Sequence, residues 1–315
     1  MTKEASKGHT VGMGLRSLFI LVGTVLFGLT LSGEATEYVK AGLILAVERV
    51  IPSSLPFMVI SDFYIAYGRP ENLRAIRRVF EQIFGLSSVC LAPFICGNVG
   101  GFPIGAKMTS ELYSQGVITR SEAERLTALS NNPSCAFIIG GVGLGIYGDA
   151  RVGFLLLISV YTATAICGIL TRSNSANNHL SNVNIGQSFD FVASVKRAGM
   201  TAISIISFIS IFSAVNGIIK KRIKNAFLIC LFSSVSEVTN AIKIFSEYSV
   251  SAPEFALTLS AFSLGFGGVC VGLQSSVFTS SAGIKMRKYY AIKLLEGIIS
   301  AVVFSLIFYL DKRLN

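Results

Sequence analysis

Long apolar runs separated by short polar segments dominate the pattern of this chain. A helix needs about 20 residues to cross a bilayer, and runs that predict such spans lie at 13–32, 36–67, 123–147, 152–171, 198–219, 254–280 and 289–310. The run at 36–67 contains Pro52 and Pro56, which remove helical hydrogen bonds, so it predicts a kinked helix or two shorter pieces. The pattern therefore predicts an all-α polytopic membrane protein.

Two further apolar runs are too short to span, and each ends at a segment that disfavours a helix. Residues 83–96 lead into Gly97–Gly105, where glycines and a proline predict a break, and a short helix follows over 105–116. Residues 225–235 lead into a polar tip over Ser233–Asn240. Non-helical backbone at membrane depth is tolerated only where protein buries it or where it lines a wet cavity. Both segments therefore predict re-entrant hairpins.

The two halves of the chain place their elements in the same order: a span, a short arm with a polar tip, an interrupted span and a plain span. Leu126–Ser130 matches Leu259–Ser263 at three identical and two conservative positions. Each copy is followed at once by a break, at Asn131–Ser134 and at Gly265–Gly268. We interpret this as an internal repeat, and such paired interruptions are typical of transporter binding sites. The single membrane domain, 1–315, then consists of repeat one at about 36–171, a linker at 172–197 and repeat two at about 198–310.

The composition also indicates a bilayer. Of the 315 residues, 52% are hydrophobic and only 14% are charged, and the mean hydropathy is +0.65. A soluble domain carries about 25% charged residues. This chain has too few polar groups to cover a soluble domain and too much apolar surface to remain disordered. We therefore expect a multi-pass membrane protein.

The net charge of +10 comes from basic clusters between the apolar runs. The clusters are Arg69, Arg74, Arg77 and Arg78; Lys220, Lys221, Arg222 and Lys224; and Lys285, Arg287 and Lys288. Loops of membrane proteins carry charge in this way and contact anionic lipid headgroups. The distribution favours membrane lipids over nucleic acid as partners, and the positive-inside rule predicts that the first and third clusters are cytoplasmic.

Residue types that enzymes and metal sites use are scarce. The six cysteines lie in apolar runs without a Cys-x-x-Cys pair, and the two histidines, His9 and His179, lie in polar segments. Zinc, haem and nucleophile–base chemistry therefore have almost no candidates, and we expect neither an enzyme nor a resident cofactor. Gly143–Gly148 spells GxGxxG, but no strand precedes it, so helix packing explains it better than dinucleotide binding.

Charged groups inside apolar runs are the remaining candidates, because a charge at the centre of a membrane helix costs about 2.5–3.5 kcal/mol. They are Glu48, Asp62, Lys107, Glu237, Lys243, Lys293 and Glu296. We interpret Glu48 and Asp62 as structural, with Asp62 close to the interfacial Arg69. Lys293 and Glu296 lie three residues apart and are expected to pair on one helical face.

Glu237 is the strongest of these candidates because it stands at a polar tip beside Ser236, Thr239 and Asn240. One interpretation is a hydrogen-bonding or cation-coordinating group in a substrate cavity. The other is a helix start at this tip, with Ser236 as its N-cap and with Thr239 and Asn240 solvated.

Asn131-Asn132-Pro133 interrupts a span. Pro133 leaves the Leu129 carbonyl without its usual donor, and a free carbonyl beside two amides suits Na⁺ or a polar ligand. The alternative is a kink that neighbouring helices or water satisfy. At Gly97–Gly105, open backbone groups, Asn98 and a helix N-terminus suit an anionic or polar ligand. A tight turn needed for packing is the alternative there.

These motifs resemble those of the YlbJ family of sporulation integral membrane proteins, among the "Gate" or nucleoside-recognition membrane proteins. The resemblance covers about 40–310, with a Gate-like region at about 40–150, and its motifs are Gly97–Lys107, Ser110–Tyr113, Glu122–Leu126 and Ser130–Pro133. It implies a role in sporulation, in making the spore cortex, and a source among endospore-forming bacteria.

A more distant likeness is to concentrative nucleoside transporters, which have inverted repeats, two re-entrant hairpins and two unwound spans. Gly97–Gly100 stands nearest to their first tip without its Glu, and Ser236-Glu237 keeps the Glu of their second tip without its Asn. Ser263–Gly267 keeps Phe-Gly of their second unwound span and replaces its Asn. The likeness implies their fold, leaves the solute open, and puts Lys220–Lys224 outside, against the positive-inside rule.

The sequence thus predicts an alternating-access transporter of an unidentified small polar solute needed for spore cortex formation, with Na⁺ or H⁺ coupling indicated by Pro133 and Glu237. The alternative is a non-transporting gate-like scaffold or subunit in spore envelope assembly, as a homo-oligomer or with other sporulation membrane proteins. The predicted substrate- or ion-binding residues are Gly97, Asn98, Gly100, Gly101, Pro103, Lys107, Ser130, Asn131, Asn132, Pro133, Ser236, Glu237, Thr239, Asn240, Gly265 and Gly267.

Overall fold

The structure is a computed structural model that describes residues 33–67, 74–173 and 189–314, together with Gly23 and Gly28. Within these residues every regular element is helical, which confirms the all-α prediction. The α-helices are α1 Gly33–Leu45, α2 Ile51–Tyr67, α3 Arg74–Phe84, α4 Leu91–Gly100, α5 Ile104–Ser114, α6 Arg120–Leu129, α7 Ala150–Leu170, α8 Phe191–Arg222, α9 Ala226–Ser236, α10 Val238–Ser246, α11 Pro253–Phe266, α12 Gly268–Thr279 and α13 Arg287–Leu314. Two π-helical segments, Ala46–Val50 and Phe137–Tyr147, and a 3-10 turn, Ser88–Cys90, complete them.

Several helical segments are long and apolar enough to cross a membrane. In the described part of the chain four qualify singly: Ala150–Leu170, Phe191–Arg222, Pro253–Thr279 and Arg287–Arg313. Two bent pairs raise the number to six if each pair is one span: Ala35–Val50 with Ser54–Phe63 at 55°, and Ile76–Phe84 with Ser88–Gly100 at 99°. The 55° bend confirms the kink predicted at the prolines. The span predicted at 13–32 lies outside the described residues, apart from Gly23 and Gly28, and so does Arg69.

Three predicted boundaries were wrong. Gly97–Gly100 form the last turn of α4, so the first break contains only Gly101–Pro103. The low helix propensity of glycine is a weak preference that packing overrides here. Helix α8 begins at Phe191 rather than near 198, because Asp190 caps it by accepting from the Ala193 backbone N at 3.0 Å. Gly265 lies inside α11, and the second break begins at Gly267.

Ion pairs mark the two ends of the helix bundle. Lys288 at the start of α13 pairs with Glu124 of α6 at 2.9 Å, and Asp311 near the end of α13 pairs with Arg151 of α7 at 2.5 Å. Helix α13 has 28 residues, so its ends are about 42 Å apart. We refer to these two sides as the Lys288 end and the Arg151 end.

Helices α4 and α5 form a first hairpin, and α9 and α10 form a second hairpin. The first opens toward the Lys288 end, because the Ser87 backbone N just before α4 donates to Glu122, two residues from Glu124, at 2.8 Å. The second opens toward the Arg151 end, because it leads into α11, whose first residue, Pro253, shares a cavity wall with Lys312. The two hairpins therefore enter the bundle from opposite ends.

Candidate functional site

The tip of the first hairpin contacts the break that follows α6. The Phe102 backbone N donates to the Asn132 carbonyl at 2.9 Å. Gly101 has a φ of +86° and faces Ser134, since a Cβ built on it would lie 2.9 Å from the Ser134 backbone N. Pro103, after a cis peptide bond, leads directly into α5. The structure thus brings the predicted tip residues against the predicted break.

Two glycines of the first hairpin enclose one carbonyl of this break. A Cβ built on Gly97 or on Gly105 would lie 2.0 Å from the Ser130 carbonyl oxygen. The Ser130 hydroxyl meanwhile donates to the Leu126 carbonyl at 2.6 Å. Glycine is therefore required at both positions because backbone meets backbone there. This contact is the packing role that we listed as the alternative to a ligand site.

A closed ring of four buried side chains lies beside the break. Asn132 Nδ2 donates to Thr164 Oγ1 at 2.9 Å, and Thr164 Oγ1 donates to Glu296 Oε1 at 2.6 Å. Lys293 Nζ closes the ring, because it donates to Glu296 Oε2 at 3.1 Å and to Asn132 Oδ1 at 2.5 Å. Lys293, Glu296 and Asn132 are all 0% exposed. The predicted Lys293–Glu296 pair is confirmed, and it extends to the break in a way that the sequence did not indicate.

The Leu129 carbonyl is not free, so that prediction was wrong. It accepts from Asn98 Nδ2 at 3.1 Å, and Asn132 Nδ2 lies 3.4 Å away. Asn98 also donates to the Phe94 carbonyl at 2.7 Å and accepts from Asn132 Nδ2 at 2.8 Å. Side-chain amides thus replace the backbone donor that Pro133 removes.

Asn131 connects the break to the last two helices. Its Nδ2 donates to Ser275 Oγ of α12 at 2.8 Å and to the Tyr289 hydroxyl of α13 at 3.0 Å. Its Oδ1 is buried and has no hydrogen-bond partner among the described residues. Asn131 and Asn132 therefore face different neighbours.

The tip of the second hairpin is the single residue Glu237, which is 1% exposed. Its carboxylate caps α10, because it accepts from the backbone N of Thr239 and of Asn240, both at 2.8 Å, and from Asn240 Nδ2 at 2.6 Å. This geometry matches the interpretation of a helix start, although Glu237 and not Ser236 is the N-cap. Thr239 is buried rather than solvated, and Asn240 is bonded to Glu237, because the tip packs inside the bundle. Ser236 ends α9 and accepts from Asn216 Nδ2 at 3.0 Å.

The second tip contacts the second break, as the first tip contacts the first. A Cβ built on Gly268 would lie 2.9 Å from the Ser236 carbonyl and 3.2 Å from the Glu237 backbone N. Gly267 has a φ of +79°, which ends α11. Gly265 lies two residues earlier, inside α11, and packs against Gly297, whose Cα would be 3.0 Å from a Cβ built on Gly265. Gly265 therefore serves helix packing, whereas Gly267 forms the break.

Lys107 lies apart from the ring. It pairs with Asp62, which also accepts from Arg197 Nη2 at 2.9 Å and from Ser194 Oγ at 2.9 Å. Asp62 is only 8% exposed, and these partners lie on α5 and α8. Arg69, to which we expected Asp62 to lie close, is outside the described residues. This cluster ties the return arm of the first hairpin to α2 and α8.

Two cavities are relevant to the site, and only the smaller one is lined by residues of a break. One of about 10 Å³, the size of a single water, is bounded by Gly101, Pro133 and Ser134. One of about 410 Å³ lies between the Ala46–Val50 segment and α10, and its lining includes Glu48, Arg49, Lys243 and Ser246. Gly145 also lines it, beside the Arg49 guanidinium. Gly143, the first glycine of the GxGxxG run, packs against α7, since a Cβ there would lie 2.6 Å from the Gly153 Cα, as the helix-packing interpretation expects.

Sequence reasoning missed several members of the site. Thr164, Ser275 and Tyr289 lie in otherwise apolar helices and carried no local signal. Tyr161, one turn from Thr164, donates to the Asn98 carbonyl. The available signal was that polar residues occur within the otherwise apolar helices α7 and α13, where they are costly unless they are paired.

The chain is similar to a curated protein of known name. The chain is 27% identical over 340 aligned residues to the sporulation integral membrane protein YlbJ of Bacillus subtilis (strain 168), covering 94% of this chain and 82% of that protein. No family model matches the chain, and no solved structure matches it. This similarity and the apolar helices identify an integral membrane protein. The comparison thereby confirms the resemblance, predicted from the motifs, to the YlbJ family of sporulation integral membrane proteins.

Proposed function

We propose that the protein transports an unidentified small polar solute by alternating access and that this transport serves spore cortex formation. The observation that carries the proposal is that each hairpin tip contacts a helix break while the two hairpins enter from opposite ends. Breaks in paired helices near mid-membrane are where transporters hold substrate and coupling ions. The sporulation role rests on the name of the Bacillus subtilis relative and on the family resemblance.

The proposal includes two inverted repeats, at about 36–171 and 198–310. Its support comes from the matched positions Ser130 and Ser263. Ser130 contacts Gly97 and Gly105 of the first hairpin, and Ser263 Oγ lies 3.5 Å from the Ser234 carbonyl of the second. Matched residues that contact their own hairpins favour a fold like that of concentrative nucleoside transporters, without indicating a nucleoside as solute.

The cavity of about 410 Å³ is the proposed entrance for the solute. Its volume lies in the range of small-molecule sites, about 300–1,000 Å³. Charges of both signs line it, from Glu48, Arg49 and Lys243, which suits a polar solute. The cavity at the first tip is about 10 Å³. The proposal therefore assigns this conformation to a state that is closed at the first tip.

Complementation of a Bacillus subtilis strain that lacks YlbJ tests the proposal. The chain should restore the yield of heat-resistant spores, and Arg49→Ala and Lys243→Ala should reduce it at unchanged protein levels. Lys224→Ala, a cation between α8 and α9, is the matched control and should have no effect. If the cavity variants and Asn131→Ala all leave spore yield intact, the non-transporting scaffold is the better account.

A further inference from the structure

The ammonium group of Lys293 is surrounded in the way that proteins surround a bound cation. Its Nζ lies 2.5 Å from Asn132 Oδ1 and 3.1 Å from Glu296 Oε2, and the side chain is 0% exposed. Thr164 Oγ1 holds the carboxylate in place by donating to its other oxygen, Glu296 Oε1, at 2.6 Å. A carboxylate oxygen and an amide oxygen are ligand types that hard cations prefer.

The orientation of the Asn132 amide supports this assignment. Its Nδ2 donates to Asn98 Oδ1 at 2.8 Å and to Thr164 Oγ1 at 2.9 Å. Both nitrogen protons are thus directed away from Lys293, and the amide oxygen faces the ammonium. Because an asparagine amide is oriented by its hydrogen bonds, two independent acceptors fix the oxygen toward the positive charge.

Stability alone does not account for this pair. A buried ion pair loses so much solvation that apolar replacement of both members is often neutral or stabilising. Lys288, which lies on the same helix as Lys293, forms an ordinary ion pair with Glu124 of α6, and the Lys288 side chain is 55% exposed. Lys293 differs because it is fully buried and reaches the break itself.

We propose that the Lys293 ammonium occupies a monovalent-cation site formed by Asn132 and Glu296, with Thr164 holding the carboxylate in place. The protein then carries its own cation at the first break and needs no bound Na⁺ there. Removal of the lysine side chain would leave a site that accepts Na⁺ or NH₄⁺ from solution. The cation site stands by itself, whereas its consequence, that solute movement is not driven by Na⁺ at this break, rests on the proposed function.

Thermal unfolding of the purified full chain in detergent tests the site without any transport measurement. Lys293→Ala and the wild type are compared in NaCl, NH₄Cl and choline chloride at one ionic strength. The wild-type midpoint should be the same in all three salts. The Lys293→Ala midpoint should be lower in choline and should rise saturably, by about 3 °C or more, in NaCl or NH₄Cl.

Matched variants identify the site. Lys293→Ala/Glu296→Gln should lose the response to Na⁺ and NH₄⁺, and Lys288→Ala should show none. A folded Lys293→Ala chain with one midpoint in all three salts overturns the proposal. The wild type provides a test that does not depend on the variant folding: saturable binding of radioactive sodium abolished by Asn132→Ala overturns the proposal, and its absence supports it.

Discussion

Replacing Gly105 by alanine tests how closely the first hairpin is held against the break. The added Cβ would lie 2.0 Å from the Ser130 carbonyl oxygen and 2.4 Å from its hydroxyl. Ordinary van der Waals contact begins near 3.4 Å, so the groups must separate by 3.4 − 2.0 = 1.4 Å. The obstacle is a backbone carbonyl that cannot move easily, because the backbone N of Ser130 donates to the Leu126 carbonyl at 2.9 Å.

The expected cost follows from that geometry. Overpacking of a core costs about 1–3 kcal/mol, and a backbone obstacle places Gly105→Ala at the upper limit. The higher helix propensity of alanine offsets about 1 kcal/mol of this. The net loss of about 2 kcal/mol should lower the unfolding midpoint by about 4 °C or more.

The assay uses the cysteines of the chain, since it contains no tryptophan. Cys90, Cys167, Cys230 and Cys270 are buried thiols, so a maleimide dye reports unfolding as they become exposed. Gly140→Ala is the matched control because nothing lies within 4 Å of a Cβ there, and it should leave the midpoint unchanged or slightly raised. Equal midpoints for Gly105→Ala and the wild type would refute the close approach of hairpin and break.

Four further variants test three polar contacts of the chain. Lys293→Met should cost about 3–5 kcal/mol because it leaves Glu296 uncompensated, whereas Lys293→Met/Glu296→Leu should recover most of that loss in the same unfolding assay. Glu237→Gln should destabilise the chain by about 2 kcal/mol, because one amide oxygen cannot accept all the donors that the carboxylate holds; an unchanged midpoint would contradict the cap. Burial raises the pKa of the Glu124 carboxyl, but its hydrogen bonds with Lys288 and Arg120 outweigh burial and lower that pKa below its usual 4.5. The pairing with Lys288 therefore stabilises the fold above about pH 4.5, and this stabilisation is lost as the pH falls through the lower pKa of the folded chain. The small effect of Lys288→Met on the unfolding midpoint should therefore vanish in acid.

The order of helices, hairpins and breaks could be predicted from sequence because each has a local physical cause. Apolar length indicates a span, and prolines indicate the kink at Pro52 and Pro56. The sequence predicted less accurately where the short arms of the hairpins end. The sequence predicted that Gly97 breaks the helix, yet Gly97 lies within α4. Glycine is needed there because the Ser130 carbonyl approaches too closely for a side chain. Local composition does not distinguish these two reasons for a glycine.

The partners of the buried charges could not be predicted, because they lie far apart in the chain. Asn132 and Lys293 are 161 residues apart, and Asp62 and Arg197 are 135 apart. Local spacing could indicate only the i,i+3 pair of Lys293 with Glu296. The ring requires α7 and α13 to pack beside the first break, and that packing is a property of the whole fold.

Alternating access at the hairpin tips is the central claim, and the accessibility of Ser134 tests it most directly. Ser134 is 3% exposed and lies against Gly101 at the first tip. Ser134→Cys is placed in a chain whose native cysteines are replaced and is treated with a membrane-impermeant thiol reagent from each side in turn. The account predicts modification from both sides at measurable rates, since each state opens the break to one side. Modification from one side only, or from neither, would contradict alternating access.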